Sequence, residues 1–181
     1  DIDRLIRLVS NILNFANIEE GKKVYRKEKT DTTIWLKETI NNYKKESIES
    51  GINVSVEIED DLPALFIDKE AMIQALFNLL DNAVKFSRDV KKVEVTAIKN
   101  ENSIVLKIKD KGIGIETYEK HKIFEKFYRG ENAVKYYIKG TGLGLALVKY
   151  TIEAHNGQID VESEPGWSTV FTITLPVSEK K

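Results

Sequence analysis

A glycine-rich turn, Gly140-Thr141-Gly142-Leu143-Gly144, runs directly into an apolar helical stretch that continues to Ala154. Glycine-rich backbone at a helix N-terminus leaves N–H groups unpaired and sets the positive end of the helix dipole beside them. Such a turn suits an anion, and phosphate above all. What surrounds it narrows the architecture. A dinucleotide fingerprint would need a further glycine where Leu145 stands and a core strand leading into the first one, and neither is present. The Walker spacing with Lys-Ser/Thr is also absent.

The 181 residues fit one domain with a short extra element. At 41% hydrophobic and 31% charged, the chain can fill a core and solvate its surface. Lys and Arg (28) nearly balance Asp and Glu (29), so no global basic field points to nucleic acid. With no cysteine, disulfides, thiolate metal sites and a Cys nucleophile are excluded. His121 and His155 alone make a His-rich metal site a poor fit. No apolar run approaches the roughly 20 residues of a membrane helix, and no signal-peptide pattern is present. The chain starts at Asp1 inside a helical pattern. It is therefore expected to be a piece of a longer parent, with any membrane attachment in parts outside this chain.

Hydrophobic periodicity predicts the elements. Ile2, Leu5, Val9, Ile12 and Ala16 form an a/d seam on a first helix, which Leu8, Leu13 and Phe15 widen and Gly21 stops. So wide a stripe fits a helix of an intermolecular bundle or one packed on its own domain. Residues 22–33 read as a polar link. A second helix is expected over 35–50, with Leu36, Ile40 and Tyr43 inward, and Val54, Val56 and Ile58 alternate as a strand. After a turn at Asp60, Asp61 and Pro63 and a short strand at 65–67, Asp68 is placed to cap a long helix to about Ser87. Strands follow at 93–99 and 104–109, then 159–162 and 169–175. Residues 110–141 lose all period but hold glycines, charges and the aromatics Phe124, Phe127, Tyr128, Tyr136 and Tyr137, the composition of a functional lid. The class is α+β, with helices on one face of a mixed sheet.

Three clusters carry chemistry. Asn78, Asn82 and Lys85 share one face of the long helix. An Asn carbonyl can ligate Mg²⁺, and a Lys can meet phosphate. Alone, the stripe reads more readily as the wet side of an amphipathic helix. Asp110-Lys-Gly112-Ile-Gly114 ends a strand. The carboxylate can accept from an exocyclic amine such as that of adenine, although alone this is a common turn. The glycine turn at 140–144 is the third. Taken in order, with the aromatic lid between them, they describe one pocket for Mg-ATP.

These stretches resemble the boxes of sensor histidine kinases. Asn78-Leu-Leu-Asp-Asn82-Ala-Val-Lys85-Phe-Ser is similar to the N box, and Asp110-Lys-Gly112-Ile-Gly114-Ile to the first glycine box. Phe124-Glu-Lys-Phe127-Tyr-Arg129 is similar to the F box, and Gly140-Thr-Gly142-Leu-Gly144-Leu145 to the second glycine box. The resemblance implies a two-layer α/β sandwich, the Bergerat ATP-binding fold, over residues 23–181. It implies that residues 1–22 are the end of a dimerisation helix and its linker. By the same resemblance Asn82 holds Mg²⁺ with Asn78 assisting, Lys85 contacts phosphate and Asp110 takes the adenine amine. Gly112 and Gly114 shape the base pocket; Gly140, Gly142, Gly144 and Leu145 line the phosphates; Arg129 approaches the γ-phosphate. Phe86 stands where many relatives carry Tyr. The implied partners are a response-regulator receiver domain and a second copy of the parent joined through the first helix.

One departure shapes the reading. The family's acceptor is a His followed by an acidic residue, and neither histidine here matches. His121 lies between two lysines in the lid and is expected to face solvent. His155, near a helix C-terminus where positive charge is favourable, is expected to be structural. The acceptor is then expected upstream or on another chain. The rivals are a chaperone-type ATPase, a serine kinase acting on an anti-sigma partner and a degenerate binding module. Such ATPases commonly carry an N-box Glu to activate water, and Asp81 lies at the wrong helical angle to replace it. The F box and the dimerisation-helix tail oppose the serine kinase, and the intact boxes oppose the degenerate module.

Overall fold

The computed structural model describes residues 2–47, 51–88 and 91–177, with the first helix's side chains described at residue 6 and from residue 9 onward. Helix α1 (Ile2–Glu19) is followed by strand β1 (Glu28–Thr30), helix α2 (Thr32–Glu46) and strands β2 (Asn53–Ile58) and β3 (Leu65–Ile67). Helix α3 (Lys69–Phe86) leads to strands β4 (Lys92–Asn100) and β5 (Ser103–Asp110). After the lid come α4 (Glu131–Lys135), α5 (Gly144–Ala154), β6 (Gln158–Glu164) and β7 (Ser168–Pro176).

A five-stranded sheet runs β2-β4-β5-β7-β6, with β2 parallel to β4 and every other pair antiparallel. The mixed sheet and the α+β class match the expectation. One face of the sheet, with Val93, Val95, Ala97, Leu106, Ile108, Phe171 and Ile173, is buried in the core. Against it pack Leu36 and Ile40 of α2, Met72, Leu76, Leu79 and Leu80 of α3, and Val148 and Ile152 of α5. Burying the apolar stripe of α3 leaves its remaining side for the polar residues.

The link at 22–33 is more structured than its polarity suggests. β1 pairs antiparallel with β3 as a separate two-stranded sheet, Glu28 opposite Ile67. Helix α2 also starts earlier than its apolar pattern, because the Asp31 side chain accepts from Ile34 N–H at 2.9 Å. The expected extension of α2 through residues 48–50 lies outside the described residues. Asp68 caps α3 as expected, accepting from Ala71 N–H at 3.0 Å.

α1 turns its apolar side outward. Val9, Ile12 and Leu13 are 45%, 46% and 60% exposed, whereas Asn11, Asn14, Phe15 and Ile18 are half-buried. This favours the bundle reading of the seam; the Ile2, Leu5 and Leu8 side chains lie outside the described residues. Among the described residues no helix is long and apolar enough to cross a membrane.

Candidate active site

A cavity of about 860 Å³ opens between α3, the sheet and the lid. Asn78, Asn82 and Lys85 line it from α3, Asp110 and Gly114 from the end of β5, and Gly140, Gly142, Gly144 and Leu145 from the glycine turn. Arg129 joins them from the lid. Gly112 lines no part of it and stands behind the wall. A Cβ there would sit 2.4 Å from the Phe86 carbonyl oxygen and 2.6 Å from Asp110 Oδ1. Its lack of a side chain lets the strand end press against the end of α3, where Ile113 N–H donates to Phe86 O at 3.0 Å.

At one end of the cavity Asp110 is only 4% exposed, and its Oδ1 has no hydrogen-bond partner among the described residues. Burial pushes its pKa up to about 7, against a lesser lowering by the Gly112 N–H. A buried carboxylate with an open oxygen is a receptor for a donor. Thr169, opposite Asp110 in the β5–β7 register, is buried on the same wall. The apolar sides come from Ile113, Ile115, Phe77 and Phe171. A flat heterocycle bearing an amine fits this end.

The other end is bounded by the N-terminus of α5. Gly142 adopts φ +73°, and a Cβ there would lie 2.6 Å from the Phe127 carbonyl carbon. Glycine is required on both counts. The turn so held exposes backbone at a helix start, as an anion site needs. Asn78 Nδ2 is buried beside it without a hydrogen-bond partner among the described residues.

The lid resolves into 3-10 turns at Thr117–Glu119 and Lys122–Phe124 and the short α4. Glu119 is its buried anchor at 1% exposure. Its Oε1 accepts from Tyr128 OH at 2.7 Å and from Glu131 N–H at 2.8 Å. Burial and then this bond push the Tyr128 phenol up to about 12. Tyr118 donates to Glu131 at 2.8 Å, and that bond first, then burial, also raises it to about 12. Arg129 is engaged in the lid itself, donating from Nη2 to the Ile138 carbonyl at 2.7 Å.

Sequence reading missed several lining residues. Glu119 is one charge among many in a charged run. Asp81 lines the cavity but is held by Tyr43 OH at 2.9 Å. Asn11 reaches the cavity from α1, a contact no local pattern announces. His121 is exposed, as expected. His155 is structural, but the expected gain from a positive charge is not realised. The ring is 5% exposed; Asp68 N–H donates to its Nε2 at 2.9 Å, so Nδ1 carries the proton toward Thr151 O at 2.7 Å. Burial holds its pKa below the ordinary 6.5, outweighing the helix end.

A cation in this cavity would meet amide oxygens. Among the described residues no three or more His, Cys, Asp or Glu side chains cluster as metal ligands. Asn82 with phosphate oxygens is an oxygen-only donor set, which fits Mg²⁺.

The profile of a family described as histidine kinase-, DNA gyrase B-, and HSP90-like ATPase matches residues 67–179, from the end of β3 to beyond β7. The chain belongs to this family. As a member of an ATPase family it carries a nucleotide site. The chain is also 36% identical over 178 residues to the sensor protein kinase WalK of Staphylococcus haemolyticus, covering 97% of this chain and 29% of that protein. A WalK of Staphylococcus aureus is 35% identical over 182 residues, covering 97% of this chain and 42% of that protein. The chain thus spans well under half the length of these relatives. Among solved structures, full-length ShkA in complex with AMPPNP superposes with a TM-score of 0.80 at 27% identity, over 96% of this chain and 36% of that one. The mycobacterial sensor histidine kinase MprB gives 0.68 at 28% identity, over 83% and 97%.

Proposed function

We propose that this chain is the ATP-binding catalytic part of a two-component sensor histidine kinase, holding Mg-ATP for γ-phosphoryl transfer to a histidine outside the chain. The observation that carries the reading is convergence: the amide stripe, the strand-end carboxylate and the glycine turn meet on one cavity. Their orphaned groups, Asn78 Nδ2 and Asp110 Oδ1, are what a nucleotide would satisfy.

Each residue has a distinct task. Asp110 accepts from the adenine amine. The α5 N-terminus, with Gly140, Gly142, Gly144 and Leu145, receives the phosphates. Lys85 and Asn78 orient them. Asn82 holds Mg²⁺, which when bound neutralises phosphate charge. Arg129 approaches the γ-phosphate after leaving the Ile138 carbonyl. Phosphoryl transfer depends chiefly on positioning and charge neutralisation, so no nucleophile is needed in this cavity.

Residues 1–22 are then the end of the dimerisation helix and its linker, and 23–181 the catalytic unit. The outward apolar side of α1 supports pairing with other helices of the parent, and the final phosphate acceptor is the aspartate of a receiver domain. Such a unit faces the cytoplasm. The rival hydrolase finds little support at Asp81, whose carboxylate is bonded to Tyr43 rather than open to activate water. Incubation with γ-labelled ATP and Mg²⁺ tests the proposal. Label should appear, acid-labile and base-stable, on a separately supplied acceptor helix and not on this chain. Stoichiometric label on the chain alone, or rapid phosphate release with none on the acceptor, would overturn it.

A further inference from the structure

α1 presents amides where a packed helix would present apolar side chains. Asn14 Oδ1 accepts from Lys23 Nζ at 3.3 Å. Asn11, one turn earlier, borders the large cavity, and its Oδ1 is buried with no hydrogen-bond partner among the described residues. A buried acceptor left unmet is costly. Ala is the better helix former at such a position.

The wall that Asn11 joins is the phosphate side. Asn78 lines both the cavity and a small cleft that it shares with Asn14 and Ile18 of α1. A Cβ on Gly144 would lie 3.9 Å from Asn78 Oδ1, which sets the start of α5 on that side too. α1 is fastened in the same region by the lid. Phe15 meets Phe127 edge-on at 6.0 Å, and Lys126 pairs with Glu19 while lying 5.3 Å from the Phe15 ring.

We propose that Asn11 is a ligand-contacting residue, supplied by α1 to the cation of a bound Mg-nucleotide. Docking of α1 and binding of the Mg-nucleotide are therefore linked. This rests on the Mg-ATP reading above. The chemistry selects the cation. The unmet Oδ1 only accepts, and phosphate oxygens only accept, so a bare triphosphate leaves Asn11 Oδ1 unmet. Mg²⁺ takes oxygen ligands and keeps several waters, either of which meets it. The alternative partner is the equally orphaned Nδ2 of Asn78, and that contact would need no cation.

Calorimetry on the whole chain, with AMPPNP in Mg²⁺ and with AMPPNP in EDTA, separates these cases. For Asn11→Ala the expected result is a roughly fivefold or greater loss of Mg²⁺–AMPPNP affinity, the scale of one lost hydrogen bond. Affinity in EDTA should stay within about twofold of the unaltered chain, below the effect of a lost hydrogen bond. Asn14→Ala should change neither. By reciprocity, Mg²⁺–AMPPNP should slow amide exchange across residues 6–18 of the unaltered chain more than AMPPNP in EDTA does, and Asn11→Ala should remove that difference. Unchanged Mg²⁺–AMPPNP affinity in Asn11→Ala, with a native melting curve, overturns the proposal. An equal loss with and without Mg²⁺ overturns it, since Asn11 would then act without a cation, through its NH2 on phosphate or through Asn78. If the unaltered chain binds nucleotide in neither buffer, the Mg-ATP reading itself fails and takes this inference with it.

Discussion

Asp110 and Glu119 are both buried carboxylates on the wall of one cavity, 4% and 1% exposed. Asp110 sits at a strand end and keeps an oxygen without a hydrogen-bond partner among the described residues. Glu119 sits in the lid and accepts from Tyr128 and from the Glu131 backbone. The strand end thus holds an unsatisfied oxygen, open to a ligand at a cost to the empty fold. The lid end is satisfied, and its carboxylate maintains a shape. One carboxylate is open to a ligand and the other maintains a shape, although burial alone does not tell them apart.

The largest expected effect is at the base end. Asp110→Asn should weaken ATP binding by about 1.5–3 kcal/mol, the cost of a charge-assisted hydrogen bond, measured by calorimetry. The same change should stabilise the free protein at neutral pH and above. The folded pKa, about 7, is raised above the ordinary 3.8, so the native state favours the protonated form. Stability from this group is complete below 3.8 and is lost as pH rises through about 7. Nucleotide-free melting curves should show this loss in the parent chain, and Asp110→Asn should abolish it. Undiminished ATP binding in the variant would remove the contrast between the two carboxylates.

A smaller and local effect is expected at Glu119. Glu119→Ala strands the Tyr128 hydroxyl and the Glu131 N–H, at about 1–2 kcal/mol for buried groups left unpaired. Amide exchange should accelerate across residues 116–139 while β4 and β5 stay protected. ATP affinity should fall more than adenosine affinity, because the base end is untouched. Equal losses for the two ligands would mean that the lid anchor also shapes the base pocket.

His155 gives the smallest effect and lies outside the cavity. Its folded pKa is depressed, so its contribution is present above the ordinary 6.5 and declines as pH falls below it. The melting temperature should drop over that window, and His155→Gln should flatten the slope. A slope that begins only below 3.8 would instead belong to Asp68, whose carboxylate is held low in the fold against a burial penalty, by the Ala71 and Arg26 N–H groups.

Most of the fold was legible because its signals are local. The alternation in β2, β4, β5 and β7 and the cap at Asp68 need only neighbours in sequence. β1 was not legible: Glu28, Lys29 and Thr30 have no apolar alternation, and pairing with β3 alone makes them a strand. The start of α2 was lost because Thr32 and Thr33 look like linker, whereas Thr32 is buried and bonds Pro63 O at 2.7 Å. In the cavity, the motif residues stood out through unusual types at regular spacing. Glu119, Asp81 and Asn11 did not, since their importance comes from partners far away in the chain. The charge state of His155 turned on burial, which its place at a helix end could not reveal.

The pairing of Asp110 with Thr169 also bears on how the protein assembles in time. β4–β5 and β6–β7 are hairpins between sequence neighbours, whereas β5–β7 must close a loop that contains the whole lid and α5. Local pairings form readily and long closures are slow. The base pocket therefore comes into being late, when two finished hairpins zip together. A nucleotide that recognises only this zipped state should slow unfolding and leave the folding rate nearly unchanged. Closure entropy grows only with the logarithm of loop length, each doubling costing about 0.6 kcal/mol. Extra residues inserted between Glu131 and Lys139 should then barely burden folding, leaving the lid free to vary in length.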